Sequence, residues 1–587
     1  MLTPPFVLLD DARPGGQARL YRDPVRIVTA RAPGEVRAAL DAVRDARGLH
    51  AAGWLAYEAA AAFEPSLPAP AGSARLAWFG LFDTVVDVDP AALLPDGAGA
   101  WVGAPEPMID RAAYDVRFAQ VQALIAAGDL YQANLTFQAR VPVAGDPLAI
   151  YAAVRGRAAA GWGAIVHTGD AVILSFSPEL FFAADGDRLT ARPMKGTARR
   201  RADPAEDAAV AAALAVDPKQ RAENLMIVDL LRNDLARVAA PGSVAVPALF
   251  AVERYPTVHQ LTSTVTATLA PGRDAVDVIA ALFPCGSITG APKLSAIAAL
   301  ARIEGGVPRG VYTGAIGRID ADGGAQFNVA IRTLTWRTDS EGGVAVMGLG
   351  GGIVADSRAD AEWDEALAKG AFLTAGARPF DLIETMAFDP VAGIALLERH
   401  LSRMAASAAA LGFRFDRHGA RNELQAATFR LRQPKRVRLL LARAGGLAVE
   451  VAPRPPAPAG PLPVAIVPLP VAPADFRLRH KTSDRGFYDA ARRTAGTAEV
   501  AFTDPAGCLT EGSFTSLFVE RDGRLVTPPL ARGLLPGVLR AELLANGRAV
   551  EGDLTPADLA GGFFVGNALR GLLPAVVAVA KGGGAPV

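Results

Sequence analysis

Hydrophobic positions change their period several times along the chain, and each change marks an element. From Asp110 apolar residues recur at helical spacing as far as Ala127, where Gly128-Asp129 gives a C-terminal stop. Short runs at Ala164–His167, Ala171–Ser175 and Leu180–Ala183 read as strands. Asp203 to Val238 reads as helix, with a break or fresh start at Pro218. Val311 to Val354 is strand-rich. Within it, Val344 to Ala355 is apolar but carries four glycines, which predicts buried strand and turn. A further helix begins near Ala359. Upstream of about residue 105, short strand-like runs such as Gly53–Glu58 alternate with Pro- and Gly-rich turns at Pro65–Gly72 and Pro90–Gly103.

The pattern runs out near Gly376-Ala377-Arg378-Pro379 and restarts at Phe380-Asp381-Leu382-Ile383-Glu384-Thr385. A chain of 587 residues is too long for one core. The expected domains are therefore 1–376 and 379–587. Pro453 to Pro463 reads as a loop inside the second domain, and the tail at Gly582-Gly583-Gly584 as frayed.

Composition narrows the partners. Basic and acidic residues both number 60, so no net field draws in nucleic acid or an anionic membrane. Two cysteines, Cys285 and Cys508, cannot build a disulfide framework, which suits the cytoplasm. Met1-Leu2-Thr3-Pro4-Pro5 does not open a signal peptide, and no apolar run reaches about 18 residues, so no membrane span is expected.

Two helical segments carry carboxylates in a pattern worth chemistry. On the helix containing Arg221–Leu235, Glu223, Ile227, Leu230 and Asp234 share one face. Charge on an apolar face needs a partner, either a salt bridge or a hard cation. In Ala361-Glu362-Trp363-Asp364-Glu365-Ala366-Leu367-Ala368-Lys369, Glu362, Glu365 and Lys369 also share a face. Spacing alone favours a surface pair of Glu365 with Lys369.

The ordered strings resemble the chorismate-utilising family from about Asp110 to Phe372. They run through Ser177-Pro178-Glu179, Pro193-Met194-Lys195-Gly196-Thr197, Ala222-Glu223-Asn224, His259 and Ser287-Ile288-Thr289-Gly290-Ala291-Pro292-Lys293. They continue through Tyr312, Gly314–Gly317, Ala330-Ile331-Arg332-Thr333, Gly350-Gly351-Gly352 and Glu362–Glu365. The resemblance implies an α+β fold like anthranilate synthase component I, with large antiparallel sheets. It implies Mg²⁺ on Glu223, Glu365 and Glu362, gripping a chorismate carboxylate. Arg332, Tyr312, Thr289, Gly290, Lys369, Gly351 and Gly352 become substrate-binding candidates, and Glu179, His259 and Lys195 catalytic ones.

Lys195 is the discriminating position. Anthranilate-forming members of the family usually carry Ala there, whereas members forming 4-amino-4-deoxychorismate carry Lys. Isochorismate-forming members place a Lys at the position of Gln132. The resemblance implies that Lys195 attacks ring carbon 2, that the 4-hydroxyl leaves, and that ammonia then displaces the lysine. Neither cysteine sits in a glutaminase string, and Cys285 stands where the family usually has Gly. A separate glutamine amidotransferase subunit is implied as ammonia source.

Residues 380 to 575 resemble the fold-type IV pyridoxal-phosphate family, which includes aminotransferases and aminodeoxychorismate lyase. The strings are Leu397–Met404, His480-Lys481-Thr482-Ser483-Asp484-Arg485, Leu509-Thr510-Glu511-Gly512-Ser513, Leu535-Pro536-Gly537-Val538-Leu539-Arg540 and Asn567-Ala568-Leu569-Arg570-Gly571. The resemblance implies a fold of two α/β subdomains, with Lys481 as the Schiff-base lysine and catalytic acid/base. Glu511 would hold the pyridine nitrogen. Arg403, Gly537, Val538, Leu539 and Asn567 would surround the phosphate, with Thr385 in assistance. Leu539, Ala568 and Ser516 depart from the commonest residues at their positions. Together the resemblances imply two consecutive steps from chorismate and ammonia to 4-aminobenzoate and pyruvate, for folate synthesis. A homodimer through the second domain is compatible with them. An anthranilate-type synthase joined to an aminotransferase is the rival enzyme reading, and a non-catalytic module that recruits a glutaminase is the rival of a different class.

Overall fold

The computed structural model describes residues 2–46, 48–68, 74–255, 258–338 and 343–578. Residues 69–72 of the early Pro- and Gly-rich stretch and the tail glycines 582–584 lie outside these. The chain divides into two compact units at Gly376/Ala377, and the second also takes in Ala98–Trp101 and Val143–Ile150.

The first unit is built on an 11-stranded and a 10-stranded sheet, whose described pairings are antiparallel. Local signals account for the elements. The Asp110 side chain accepts from the Ala113 amide to start helix Arg111–Ala126, and Gly128 follows it at φ +80°. Pro218 does open a fresh helix: Asp217 ends Pro204–Val216 and caps α1 (Pro218–Ala236) by accepting from the Gln220 amide. The site draws on five more elements. They are β1 (Gln132–Ala144), β2 (Met194–Arg199), β3 (Val258–Thr268), β4 (Val344–Ile353) and α2 (Ala359–Ala368).

Strand β4 runs antiparallel to β1 from Val344↔Pro142 to Ile353↔Ala133. Its glycines are there for lack of side chain. A Cβ on Gly348 would sit 2.0 Å from the Tyr312 ring, and one on Gly350 would sit 2.3 Å from the Leu135 carbonyl oxygen. Glycine is what lets side chains from neighbouring elements close over this strand.

The second unit has a four-stranded antiparallel sheet and an eight-stranded mixed sheet. The first holds β5 (Leu382–Asp389), β6 (Lys435–Leu441) and β7 (Leu447–Pro453), packed on α3 (Leu397–Ala410). Val437, Leu439 and Leu441 alternate into its core beside Leu401 and Met404. The eight-stranded sheet has its own core around Val464, Ala501, Leu517 and Val565. Parallel pairing of Leu462–Pro468 with Glu499–Thr503 gives it the α/β character expected. The proline-rich stretch joins the two sheets, between β7 and Leu462. No helix among the described residues is long and apolar enough to cross a membrane.

Candidate active sites

In the first unit β2, β4, α1 and α2 converge on a cavity of about 320 Å³. Glu179, Lys195, Glu223, Tyr312, Arg332, Gly352, Glu362, Glu365 and Lys369 line it. Lys195 enters from β2 after Pro193. Its carbonyl accepts from the Asn224 amide group at 3.4 Å, and Asn224 is itself held by the Ser263 hydroxyl at 2.6 Å. Burial, then the charge of Lys369, pushes the Lys195 amine below its ordinary pKa. Glu179 sits in the turn after Ser177, whose hydroxyl donates to the Val329 carbonyl at 2.6 Å. Burial pushes the Glu179 carboxyl up to about 7, and its Oε1 has no hydrogen-bond partner.

Three carboxylates, Glu223, Glu362 and Glu365, line the same cavity. Burial raises Glu223 and Glu362, and the neighbouring carboxylates add to the shift. Glu365 is lowered, first by Lys369, whose ammonium lies 3.0 Å away. The Ser357 hydroxyl donates to Glu362 at 2.7 Å. These hard oxygen donors repel one another across one cavity, which is the chemistry a divalent cation relieves. Among the described residues no group of three or more acidic, His or Cys side chains is placed to hold a metal ion. The expected set Glu223, Glu362 and Glu365 lines one cavity without forming such a group.

Arg332 sits at φ +52° with its guanidinium 5.7 Å from the Phe372 ring, and burial lowers its pKa. Such a backbone is costly for a non-glycine residue and is retained where it aims a side chain. Lys369 also donates to the Gly350 carbonyl at 2.9 Å.

Four expected residues fall outside the cavity lining. His259 is fully buried with Nε2 2.9 Å from Asp207 Oδ1. Its neighbours Val258 and Gln260 line the cavity, so strand alternation turns His259 to the other face. Thr289 gives its hydroxyl to the Gly286 carbonyl at 3.1 Å. Gly290 pairs with Ala133, and a Cβ there would meet the Gln132 carbonyl at 2.3 Å. Both belong to the wall behind Ser287 and Ile288 and do not line the cavity. Gly351 is not in the lining either, although a Cβ there would come within 3.3 Å of Glu362 and of Lys369.

The second unit encloses a cavity of about 720 Å³, which includes Thr385, Arg403, Lys481, Glu511, Gly537, Val538, Leu539 and Asn567 in its lining. Burial, then Arg403, lowers the Lys481 amine to about 7. Burial raises Glu511 to about 7 despite the Leu535 amide donating at 3.1 Å and the Tyr488 hydroxyl donating as well. Arg403 is held by Glu384 through Nε at 2.8 Å and Nη2 at 2.6 Å, and it donates to the Pro536 carbonyl at 3.0 Å. His400 binds the same carboxylate at 2.6 Å through Nδ1, leaving Nε2 buried without a partner.

Helix α4 (Val538–Ala545) begins at the turn of Gly537 and opens its amides onto this cavity. Gly537 has no room for a side chain, since a Cβ would lie 2.6 Å from the Ser516 hydroxyl. The donor set fits pyridoxal phosphate: a buried amine, a buried carboxyl for a ring nitrogen, and amides with Arg403 at an anion's end. Ser516 keeps a hydroxyl beside the turn, while Leu539 packs toward Gly566.

Comparison with known proteins gives the families of the two units. Residues 5–375 match the family described as chorismate binding enzyme. The chain belongs to the chorismate binding enzyme family. Residues 381–577 match amino-transferase class IV, so this chorismate binding enzyme is a fusion of two catalytic families. It is 41% identical to aminodeoxychorismate synthase component 1 of Klebsiella aerogenes over 50% of this chain and 62% of that one. It is equally 41% identical to anthranilate synthase component 1 of Streptomyces coelicolor, over 46% of this chain and 52% of that one. The chain thus spans between half and two thirds of these relatives. The crystal structure of anthranilate synthase component I from Streptococcus pneumoniae superposes with a TM-score of 0.53 at 24% identity, covering 64% of this chain and 93% of that one. That likeness gives the fold of the first unit. Overall identity does not separate the two synthases, so the discriminating residues must.

Sequence reasoning about this chorismate binding enzyme missed several cavity residues. Lys219, Gln220 and Gln260 line the first cavity without belonging to a recognised string. In the second unit it missed Tyr488, a lining residue for which the chain carries no local signal, and Glu384, which holds Arg403 without lining the cavity and is signalled only as a carboxylate inside the apolar run Leu382–Ala387.

Proposed function

We propose that the first unit aminates chorismate to 4-amino-4-deoxychorismate and that the second eliminates pyruvate to leave 4-aminobenzoate, for folate synthesis. The observation carrying this reading is Lys195, a buried amine with a lowered pKa set in the same cavity as Glu179, Glu223, Glu362 and Glu365. A neutral lysine is a competent nucleophile, and the Ala of the anthranilate pattern is not.

Lys195 would form a C–N bond at ring carbon 2 of chorismate while the ring double bonds shift and the carbon 4 oxygen leaves. Glu179, protonated up to about pH 7, supplies the proton that releases it as water. Ammonia then adds at carbon 4, the double bonds shift back, and Lys195 departs as the free amine. Mg²⁺ held by Glu223, Glu362 and Glu365 would neutralise a substrate carboxylate, and Arg332 would take the other by a bidentate ion pair. A separate glutaminase subunit would furnish ammonia.

In the second unit, bound pyridoxal phosphate supplies the electron sink. Arg403 and the amides at Gly537 and Val538 would hold its anionic end, with Asn567 beside them, and Glu511 would face its ring nitrogen. Lys481, as a neutral amine, would remove the proton at ring carbon 4. The carbon 3–oxygen bond then breaks, the ring becomes aromatic, and the departing enolate takes the proton back from Lys481 to leave as pyruvate. The cytoplasm is the setting proposed for both steps.

The test supplies purified protein with chorismate, Mg²⁺, pyridoxal phosphate and ammonium and resolves the products. 4-Aminobenzoate with pyruvate supports both halves. Anthranilate overturns the reading of Lys195, and an aminated product that never becomes aromatic overturns the second half.

A further inference from the structure

The larger cavity carries more cationic side chains than carboxylates in its lining. Two of the arginines are already engaged: Arg403 by Glu384 and the Pro536 carbonyl, and Arg492 by Asp489 on its own helix. Arg436 is not, and Arg438 is held only loosely, by Glu450 opposite it in the strand register. Both lie on β6, where Val437, Leu439 and Leu441 are fully buried, so alternation turns the two arginines to the cavity. Arg436 has no carboxylate partner among the described residues. Arg438 has the Glu450 carboxylate 3.9 Å away, and its Nε is buried without a hydrogen-bond partner.

Thr385 of β5 stands opposite Arg438 in the strand register and lines the same cavity. Its neighbour Glu384 takes hold of Arg403 and His400, the anchor on α3. The two engaged sets of residues therefore leave β6 without an assigned task. Two residues along a strand place Cα atoms about 6.6 Å apart, which lets two guanidinium groups receive two separate anions.

We infer that Arg436 and Arg438 form a clamp for a dicarboxylate substrate in the second unit, each arginine taking one carboxylate. The inference rests on the lyase reading for the identity of that substrate, since 4-amino-4-deoxychorismate carries a ring carboxylate and an enolpyruvyl carboxylate. The clamp selects substrate by charge number, and the cofactor phosphate is served by Arg403 and the Gly537 turn.

The test uses the full chain loaded with pyridoxal phosphate. Equilibrium binding of 3-(carboxymethoxy)benzoate, a stable dicarboxylate, is compared with that of benzoate through the change in cofactor absorbance. Wild type should favour the dicarboxylate by about tenfold or more, the scale of one charge-assisted hydrogen bond. Arg436→Gln and Arg438→Gln should each bring that ratio down toward one, with cofactor affinity unchanged. Arg438→Lys should keep part of the preference, because it keeps charge and loses the planar fork. An equal affinity for both probes in wild type overturns the clamp, as does an unchanged ratio in both Gln variants. Loss of cofactor from the variants overturns it too, since the arginines would then serve the phosphate. Failure of the lyase reading looks different: wild type would release no pyruvate from aminodeoxychorismate while still preferring the dicarboxylate probe.

Discussion

A methyl group on the α-carbon of Gly352 would sit 3.3 Å from the Lys195 Nζ and 2.4 Å from the Gln132 Nε2. The backbone of β4 is thus the surface against which the lysine amine is positioned. Gly352→Ala should lower chorismate amination by about 10²-fold, the scale set by displacing a reacting group by roughly an ångström. Steady-state amination with ammonium measures this, and pyruvate release from supplied aminodeoxychorismate should stay at the wild-type rate.

Removing the amine itself is a sharper case. Lys195→Ala should reduce amination by at least about 10³-fold, because the covalent route is lost and only positioning remains. The same variant should still turn supplied aminodeoxychorismate into 4-aminobenzoate. A product assay on both substrates reads the two activities separately.

The pH dependence of amination follows from two shifts of opposite sign. On the proposed mechanism Lys195 attacks as a neutral amine, so the rate should fall with decreasing pH only below its lowered pKa. On the same mechanism Glu179 is an acid raised to about 7, so the rate should fall as pH rises above about 7. Glu179→Gln should lower kcat by about 10²- to 10⁴-fold and remove the alkaline limb of the profile.

Glu384 holds Arg403 and His400 in the second unit, and Arg403 with His400 keeps its carboxyl down at about 2 against the burial that opposes them. A carboxyl depressed in the folded chain contributes stability that is present above its ordinary pKa of 4.5 and is lost as pH falls toward 2. Glu384→Ala leaves a buried guanidinium unpaired and should cost about 3–5 kcal/mol in that unit. Urea unfolding followed between pH 7 and pH 3 should show the wild-type advantage shrinking in the acid range.

His259 gives a contrast between stability and chemistry. Its Nε2 faces Asp207, whose pKa is lowered chiefly by Arg200 and further by the Arg201 amide and His259. His259→Ala should destabilise the first unit by about 1–3 kcal/mol through the group left unpaired. The KM for chorismate should change by less than about threefold, the order of a residue that does not line the cavity.

The sequence carried the helices because their signals are local: Asp110, Gly128 and Asp217 act within a few residues of themselves. The ordered strings likewise pointed to Lys195, Glu223, Lys481 and Glu511, which do line their cavities. What a string cannot carry is the direction of a side chain. His259, Thr289 and Gly290 stand in the right strings, yet register and hydrogen bonding turn them into walls. Glu384 and Arg403 meet only because β5 packs on α3, and Arg436 reaches the cavity only through the alternation of β6. Such encounters depend on tertiary contacts, and no window of sequence holds both partners.

Placing two cavities on one polypeptide fixes their stoichiometry at one to one. Expression level therefore scales both capacities together and cannot change their ratio. If the second site is to keep the intermediate scarce, its turnover must exceed that of the first by inheritance, through residues such as Lys481 and Glu511. Selection on the balance of flux then falls on coding sequence, where separate genes would have left it to promoters.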